Sequence, residues 1–228
     1  MTPTPENSYA ETQRQALRRI AEQSRASFAD THEAREHALR LSREIIRNSA
    51  NSIRATHRAD YEDARELIAR LTDLVQEMNS SLEDHRSVYY AGYVEDAQKE
   101  YVEAIATLAF VEQTPLPDPV ELGVGPAPYL NGLAEAVGEL RRSILDSLRR
   151  NDLSRCEGLL EMMDEVYSIL MSMDFPEAVT RGLRRSTDMA RGVLERTRGD
   201  LTVAFPQGRL ERRLTDVQDA LAEAEGRG

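Results

Sequence analysis

The sequence has one cysteine and no long apolar segment, and each absence excludes a class of protein. Cys156 is the only cysteine, so no disulfide can form within the chain, and we interpret it as a small core residue. No apolar run approaches the roughly 20 residues that cross a membrane. The polar, proline-containing residues 1–8 do not resemble a signal peptide. We therefore expect a cytoplasmic protein with no membrane partner.

The short motifs of many enzyme classes are also missing. The sequence contains no P-loop, no GxGxxG fingerprint, no Cys/His metal cluster and no nucleophile elbow, which argues against the nucleotide-binding and hydrolytic classes that depend on them. No segment has a convincing strand pattern.

Lysine is nearly absent, since Lys99 is the only lysine among 29 basic residues. The net charge is −11 and the sequence pI is about 5.0, which argues against a nucleic-acid binder of the usual basic kind. High acidity with almost no lysine resembles the proteome of a halophilic archaeon, where a strongly charged surface aids solubility.

Helical periodicity continues through most of the chain and predicts one all-α domain. We expect the domain to span residues 9–204, with a disordered tail at residues 1–8 and a peripheral or disordered tail at residues 205–228. Residues 210–224 of this tail could form a marginal helix. Within the domain we expect a break near Asp30 or Thr31, since either residue can cap a following helix. We also expect one long helix over residues 82–112 and a last core helix over residues 177–197.

Two helices each carry a pair of acids. Glu100 and Glu103 are three residues apart and Glu135 and Glu139 are four apart, so each pair shares a helix face. Asp96 lies on the face of the first pair, within an arc of roughly 60°. Like charges at this spacing repel, which leaves two interpretations. The faces are either solvated acidic surfaces or the two halves of a divalent-metal site.

A narrow stripe of arginines follows one face of the helix expected over residues 31–57. On a helical wheel the stripe fills roughly 60°. It is either an exposed face of salt bridges or a ladder of guanidinium groups for phosphates. His57, next to the stripe, could contact RNA, but the pattern is more typical of a surface histidine at a helix end. The stripe consists of Arg40, Arg43, Arg47, Arg54 and Arg58.

Three segments together resemble the translin family, and within it the translin-associated factor X branch. They are the arginine-rich helix from Leu41 to Ile46 that ends in Thr56-His57-Arg58, the stretch from Gln98 to Ala104, and the run from Tyr129 through Gly138-Glu139-Leu140-Arg141-Arg142. The similarity covers residues 31–201. It implies an antiparallel bundle of seven helices that assembles into a closed homo-oligomer, commonly an octamer, with a translin-like second subunit as a further partner.

The resemblance also implies a function. It is Mg²⁺-dependent endoribonuclease activity on single-stranded RNA, with Mn²⁺ as an alternative metal. The family's acids map onto Glu100, Glu103, Glu135 and Glu139, which would hold the metal. One position departs from the pattern, because Glu135 stands where the catalytic branch usually has Asp. A metal-activated water would cleave the phosphodiester, and the arginine stripe would position the backbone.

Two other functions fit the sequence. The first is a non-catalytic oligomer that binds RNA or single-stranded DNA, in which the acids are structural. The second is a helical scaffold for a protein partner. Cleavage that needs Mg²⁺ separates the enzyme from the first alternative, and absence of any nucleic-acid binding would favour the scaffold.

Overall fold

The computed structural model describes residues 5–225, with side chains for residues 9–207 and Gln218. The regular secondary structure of this part of the chain consists of helices with no strand, which confirms the predicted all-α class. The outer ends of the two predicted tails, residues 1–4 and 226–228, lie outside the described residues. The helices are α1 (Pro5–His57), α2 (Tyr61–Ser81), α3 (Arg86–Tyr89), α4 (Gly92–Glu112), α5 (Pro126–Arg149), α6 (Cys156–Met171), α7 (Glu177–Thr180) and α8 (Leu183–Glu225).

Helix α4 forms the centre of the bundle. It packs against α1 and α2 on one side and against α5 on the other, while α6 and α8 cover the far side of α5. Its apolar residues extend around most of the helix, as expected for a helix buried on several sides. Tyr101, at its middle, is fully buried, and its hydroxyl lies 2.8 Å from the hydroxyl of Thr72 in α2.

The boundaries of α5 follow from proline and glycine. The segment from Thr114 to Pro119 cannot continue α4, because proline lacks the amide hydrogen that a helix needs. The side chain of Asp118 accepts hydrogen bonds from the amides of Val120 and Glu121 and so fixes the turn. Helix α5 then begins at Pro126, a position where proline costs no hydrogen bond.

The expected break at Asp30–Thr31 is absent, because α1 is continuous from Pro5 to His57. The hydroxyl of Thr31 donates to the carbonyl of Ser27 at 2.9 Å and so joins the helix instead of capping a new one. Without proline or glycine after Pro5 in this helix, the sequence offers no other break.

Two further helix predictions were wrong in their limits. The helix expected over residues 82–112 is divided at Ala91, whose extended backbone separates α3 from α4. The last core helix begins at Leu183 instead of Glu177, because Arg181 and Gly182 both adopt positive φ angles and turn the chain between α7 and α8. Helix α8 then continues through Pro206 to Glu225, so most of the predicted C-terminal tail is helical.

The N-terminal half of α1 lies outside the core. With 53 residues, α1 is about 80 Å long, whereas the central helices are about 30–36 Å long. None of residues 9–37 is buried, and the first buried residue of the described side chains is Ala38. Among the described residues, no helix is long and apolar enough to cross a membrane.

Candidate functional site

The acidic pair of α4 meets Glu135 of α5 at a close contact between the two helices. At this point α5 carries Gly132, whose missing side chain leaves room for the backbone of α4. A Cβ atom at position 132 would lie 2.6 Å from the carbonyl oxygen of Lys99 and 2.8 Å from the Cβ of Val102. Gly132 therefore permits a helix spacing that larger residues would prevent. Glu135 follows Gly132 by one turn, and Glu100 follows Lys99.

Three carboxylates converge at this contact. Glu100, Glu103 and Glu135 each offer one oxygen, and the three oxygens lie within 4.8 Å of one another. Two come from α4 and one from α5, so the cluster depends on the packing of the two helices. A set of carboxylate oxygens is the donor type that hard divalent cations such as Mg²⁺ prefer. The residues present therefore fit a divalent cation in both chemistry and proximity.

The electrostatics of Glu103 show how strongly the cluster favours a cation. Burial raises the pKa of Glu103 from 4.5 to about 8, and the neighbouring carboxylates of Glu100, Glu135 and Glu139 act in the same direction. The pKa of Glu100 is also raised, mainly by burial and then by Glu135. Without a metal, Glu103 therefore holds a proton at neutral pH, because burial disfavours its charged form and the nearby carboxylates add to this effect.

Lys99 supplies the nearest positive charge. Its Nζ donates to Oε1 of Glu135 at 2.7 Å and lies 3.7 Å from Oε1 of Glu100. The ammonium group therefore bridges the carboxylates of α4 and α5. The side chain is mostly buried, with 22% of its surface exposed.

Glu139 is held by a different partner. Its Oε2 contacts Nε2 of His57, the last residue of α1, and lies 3.7 Å from a guanidinium nitrogen of Arg142. The hydrogen bond to His57 is the main reason that the pKa of Glu139 is lowered. The other ring nitrogen of His57 lies 3.4 Å from the hydroxyl of Ser143. Glu139 therefore borders the three-carboxylate cluster, and α1 fixes its orientation.

His57 is not the surface histidine that the sequence pattern indicates. Only 5% of its side chain is exposed, and it joins the end of the arginine-rich helix to the acidic centre. Sequence reasoning misses this role because Glu139 lies 82 residues further along the chain. No local pattern indicates a contact over that distance.

Asn131, one turn before Glu135, anchors the corner between α7 and α8. Its buried side-chain amide donates to the carbonyl of Thr180 at 3.1 Å, and its Oδ1 accepts from the hydroxyl of Ser186 at 2.7 Å. These bonds hold Arg181 and its neighbours beside the acidic centre. A cavity of about 370 Å³ lies there, and its walls include Lys99, Glu135, Asp96 and Arg185.

The arginine stripe is exposed along its whole length on α1, opposite buried residues such as Leu41, Ile45 and Ile53. Its contacts with acids are weak: Arg47 lies 3.9 Å from Glu44, and Arg58 lies 3.6 Å from Asp63. Exposed pairs of this kind contribute little to stability. Among the described residues, Arg40, Arg43 and Arg54 form no ion pair within 4.0 Å. Arg40 contacts His37 and Arg54 donates to Asn51, both within α1, so no acid neutralises these three guanidinium groups.

Comparisons with known proteins place this geometry in context. No family model matches the sequence. The chain is 32% identical over 198 residues to the uncharacterized protein MJ0175 of Methanocaldococcus jannaschii, covering 86% of this chain and 87% of that one.

Three solved structures have a fold similar to that of this chain. The structure of AfC3PO in complex with duplex RNA has 34% sequence identity and a TM-score of 0.76, covering 81% of this chain and 96% of that chain. AfC3PO alone has the same identity and coverage, with a TM-score of 0.75. The structure of apo-NeC3PO, at 21% identity and a TM-score of 0.68 over 82% of this chain and 96% of that chain, shows the same fold.

Proposed function

Because the chain belongs to the translin family, the family of the C3PO proteins, we propose that it is an RNA-binding, Mg²⁺-dependent endoribonuclease. The observation that carries this proposal is the convergence of Glu100, Glu103 and Glu135 within 4.8 Å. Neither helix could build this cluster alone. The raised pKa values of Glu100 and Glu103, beside a cavity that Glu135 lines, are typical of functional sites.

Glu100, Glu103 and Glu135 would hold the metal, and Glu139 would complete the acidic set from the adjoining turn of α5. A bound Mg²⁺ supplies a Lewis acid that activates water and neutralises charge on a phosphate. The buried position of Glu103 limits access of bulk water to one side of the cluster. The hydrogen bond from His57 lowers the pKa of Glu139 and fixes the orientation of its carboxylate beside the centre.

The arginine stripe would bind the RNA backbone. Guanidinium groups donate two parallel hydrogen bonds to a phosphate, and contacts of this kind fix the position of a strand without reading its sequence. Two arginines of the stripe flank His57, Arg54 on α1 and Arg58 in the turn that follows it, and His57 contacts Glu139. A strand that follows the stripe would therefore be guided towards the acidic centre.

The form of the RNA is a separate part of the proposal. The family resemblance implies a single-stranded substrate, whereas the relative AfC3PO was solved with duplex RNA. A surface that contacts only phosphates accepts either form, and single-stranded DNA is a further candidate ligand. Cleavage and binding should therefore be measured on single-stranded and duplex RNA in parallel.

We further propose that the protein acts as a closed homo-oligomer, with an octamer as the expected size. The projecting half of α1 presents large apolar residues to solvent, which a soluble protein usually covers. Tyr9, Leu17, Ile20 and Phe28 are 54–74% exposed and lie within an arc of about 100° on the helix. A second copy of the chain, or a translin-like second subunit, would bury this face.

Incubation of labelled RNA with Mg²⁺ or with EDTA tests the proposed activity. We expect internal cleavage by the parent protein in Mg²⁺, no cleavage in EDTA, and loss of cleavage but retained RNA binding in Glu100→Gln. Glu161→Gln is the matched control, because Glu161 is an exposed acid on α6 that lies outside the cluster. RNA binding without any metal-dependent cleavage would overturn the nuclease assignment.

One observation favours the alternative, a non-catalytic oligomer that binds RNA or single-stranded DNA. Glu135 stands where the catalytic branch usually has Asp, and the longer side chain reaches the ammonium of Lys99. A displacement of about 1 Å at a metal ligand can cost around 100-fold in rate. In that case the Glu135→Asp variant would gain cleavage that the parent lacks, while RNA binding would be the same in both proteins.

A further inference from the structure

The single lysine of the chain lies inside the acidic centre. The rest of the 29 Lys and Arg residues are arginine. Elsewhere on the described surface, the ion pairs of acids are formed by arginine or histidine. An arginine carries a planar, forked group that binds carboxylates by two parallel bonds, whereas the ammonium of lysine is a compact charge on a flexible stem. Lysine therefore stands in place of arginine only at position 99, which lies beside the three carboxylates.

Lys99 occupies oxygens that a metal would need. Its Nζ lies 2.7 Å from Oε1 of Glu135 and 3.7 Å from Oε1 of Glu100. Glu135 is the only acid that α5 contributes to the three-carboxylate cluster. An ammonium group and a divalent cation repel each other at such distances, so they compete for the same two carboxylates.

The structure also offers the ammonium a second position. Asp96 lies three residues before Lys99 on α4 and is exposed. Asp96 forms no ion pair within 4.0 Å among the described residues, and it lines the same cavity of about 370 Å³ as Lys99. Residues three apart on a helix are neighbours, so rotation of the lysine stem moves the charge from the cluster to Asp96.

We infer that Lys99 is an exchangeable counter-ion: its ammonium neutralises Glu100 and Glu135 in the metal-free protein and moves to Asp96 when a divalent cation binds. The inference rests on the proposed function, since it needs the metal site. It gives Lys99 two effects on the metal site. Lys99 stabilises the metal-free fold against repulsion within the cluster and sets the metal concentration at which the site fills.

Measuring Mn²⁺ affinity tests whether Lys99 competes with the metal, and the test does not depend on catalytic activity. We would titrate Mn²⁺ into the parent, Lys99→Met and Lys99→Arg at constant ionic strength and measure free Mn²⁺ by electron paramagnetic resonance. Methionine keeps an unbranched side chain, one atom shorter, and removes the competing charge, so Lys99→Met should bind Mn²⁺ roughly tenfold more tightly. Lys99→Arg keeps the charge and should bind no more tightly than the parent.

Arg142→Met is the matched control. Arg142 also lies 3.7 Å from an acid of the site, Glu139, but 54% of its side chain is exposed to solvent. Its charge is therefore better screened and does not touch the three-carboxylate cluster. Its removal should change Mn²⁺ affinity by less than a third of the Lys99→Met effect.

The melting temperature of the metal-free protein should change in the opposite direction to its metal affinity. In EDTA, Lys99→Met should melt about 2–4 °C below the parent, because Glu100 and Glu135 lose the ammonium group that neutralises them. Saturating Mg²⁺ should then raise its melting temperature more than it raises that of the parent. A variant that merely fails to pack would lose stability in both conditions and gain no affinity.

Movement of the side chain can be followed directly because the chain has one lysine. Reductive methylation with ¹³C-formaldehyde labels only Lys99 and the α-amino group, and it keeps the positive charge. The Lys99 methyl resonance should shift and saturate with added Mg²⁺ in the parent protein. The same resonance should not respond to Mg²⁺ in Glu100→Gln at these concentrations.

The outcomes separate this inference from the proposed function. If the parent binds Mn²⁺ but Lys99→Met binds it equally or more weakly, the exchange is wrong and the metal site remains. If the parent does not bind Mn²⁺ at all, both the metal site and the exchange are wrong.

Discussion

The backbone of Gly132 in α5 lies against the carbonyl oxygen of Lys99 in α4, and an added Cβ would lie 2.6 Å from that oxygen. Backbone atoms cannot move aside as a flexible side chain can. The contact therefore sets the distance between the two helices that carry the acids. It joins the packing of the bundle to the geometry of Glu100 and Glu135.

Gly132→Ala should destabilise the protein and separate the acidic pairs. Overpacking at a rigid contact costs about 1–3 kcal/mol in the free energy of unfolding, and Mn²⁺ binding should weaken because Glu135 moves away from α4. Gly138→Ala is the matched control on the same helix, since nothing lies within 4 Å of its added Cβ. It should be neutral or stabilising by up to about 1 kcal/mol. Equal effects of the two variants in chemical denaturation would contradict the role of Gly132.

The pKa of Glu103 predicts a pH dependence for the metal-free protein. The folded state raises this pKa from 4.5 to about 8, so between these values it binds more protons than the unfolded state. Its contribution to the free energy of unfolding is therefore complete below pH 4.5, falls as the pH rises, and is lost above pH 8. In EDTA, Glu103→Gln should lack this decline and should be more stable than the parent at pH 9. Parallel pH profiles for the two proteins would show that Glu103 is already ionised in the folded state.

His57 should stabilise the site through Glu139. His57→Ala removes the partner that lowers the pKa of Glu139 and leaves a half-buried carboxylate without its hydrogen bond. A decrease of about 1–3 kcal/mol in the free energy of unfolding is expected, together with weaker Mn²⁺ binding. Ser143→Ala, which removes only the 3.4 Å contact on the other ring nitrogen, should cost much less. If the two substitutions have similar effects, the His57–Glu139 contact is not the important one.

The arginine stripe should determine the salt dependence of RNA binding. Removing one arginine–phosphate interaction should lower the slope of log affinity against log salt by about 0.7 for a single strand. Arg47→Ala should show this change equally for all RNA sequences, because interactions with phosphates carry no base information. Arg70→Ala, an exposed arginine on α2 and off the stripe, should leave the slope unchanged. An unchanged slope for Arg47→Ala would mean that the stripe is only a solvated face.

Much of this organisation is predictable from the sequence, for identifiable reasons. The all-α class follows from periodic apolar residues, and the two acidic pairs follow from their spacing on helices. The contacts that join distant segments are not predictable in this way. His57 and Glu139 meet across 82 positions, and Gly132 fits against Lys99 only because of the packing of two helices. Lys99 is visible as an isolated lysine, but its role depends on where Glu135 lies.

The predicted ends of the helices were wrong for a different reason. Thr31 has the side chain of a helix cap, and only its hydrogen bond to Ser27 shows that it continues α1. Arg181 turns the chain with a positive φ angle although it is not glycine, and Asn131 bonds to the carbonyls of Thr180 and Arg181 at this turn. In both cases a hydrogen bond, and not the residue type, decides the local structure.

The central claim is that carboxylates from α4 and α5 form one centre for a divalent cation. The most direct measurement is anomalous diffraction from crystals of the parent protein soaked in Mn²⁺, beside crystals of Glu103→Gln treated in the same way. We predict one strong peak per subunit in contact with Glu100, Glu103 and Glu135 in the parent, and a weaker or absent peak in the variant. A well-ordered parent cluster with no peak, or with a peak bound to other residues, would contradict the claim.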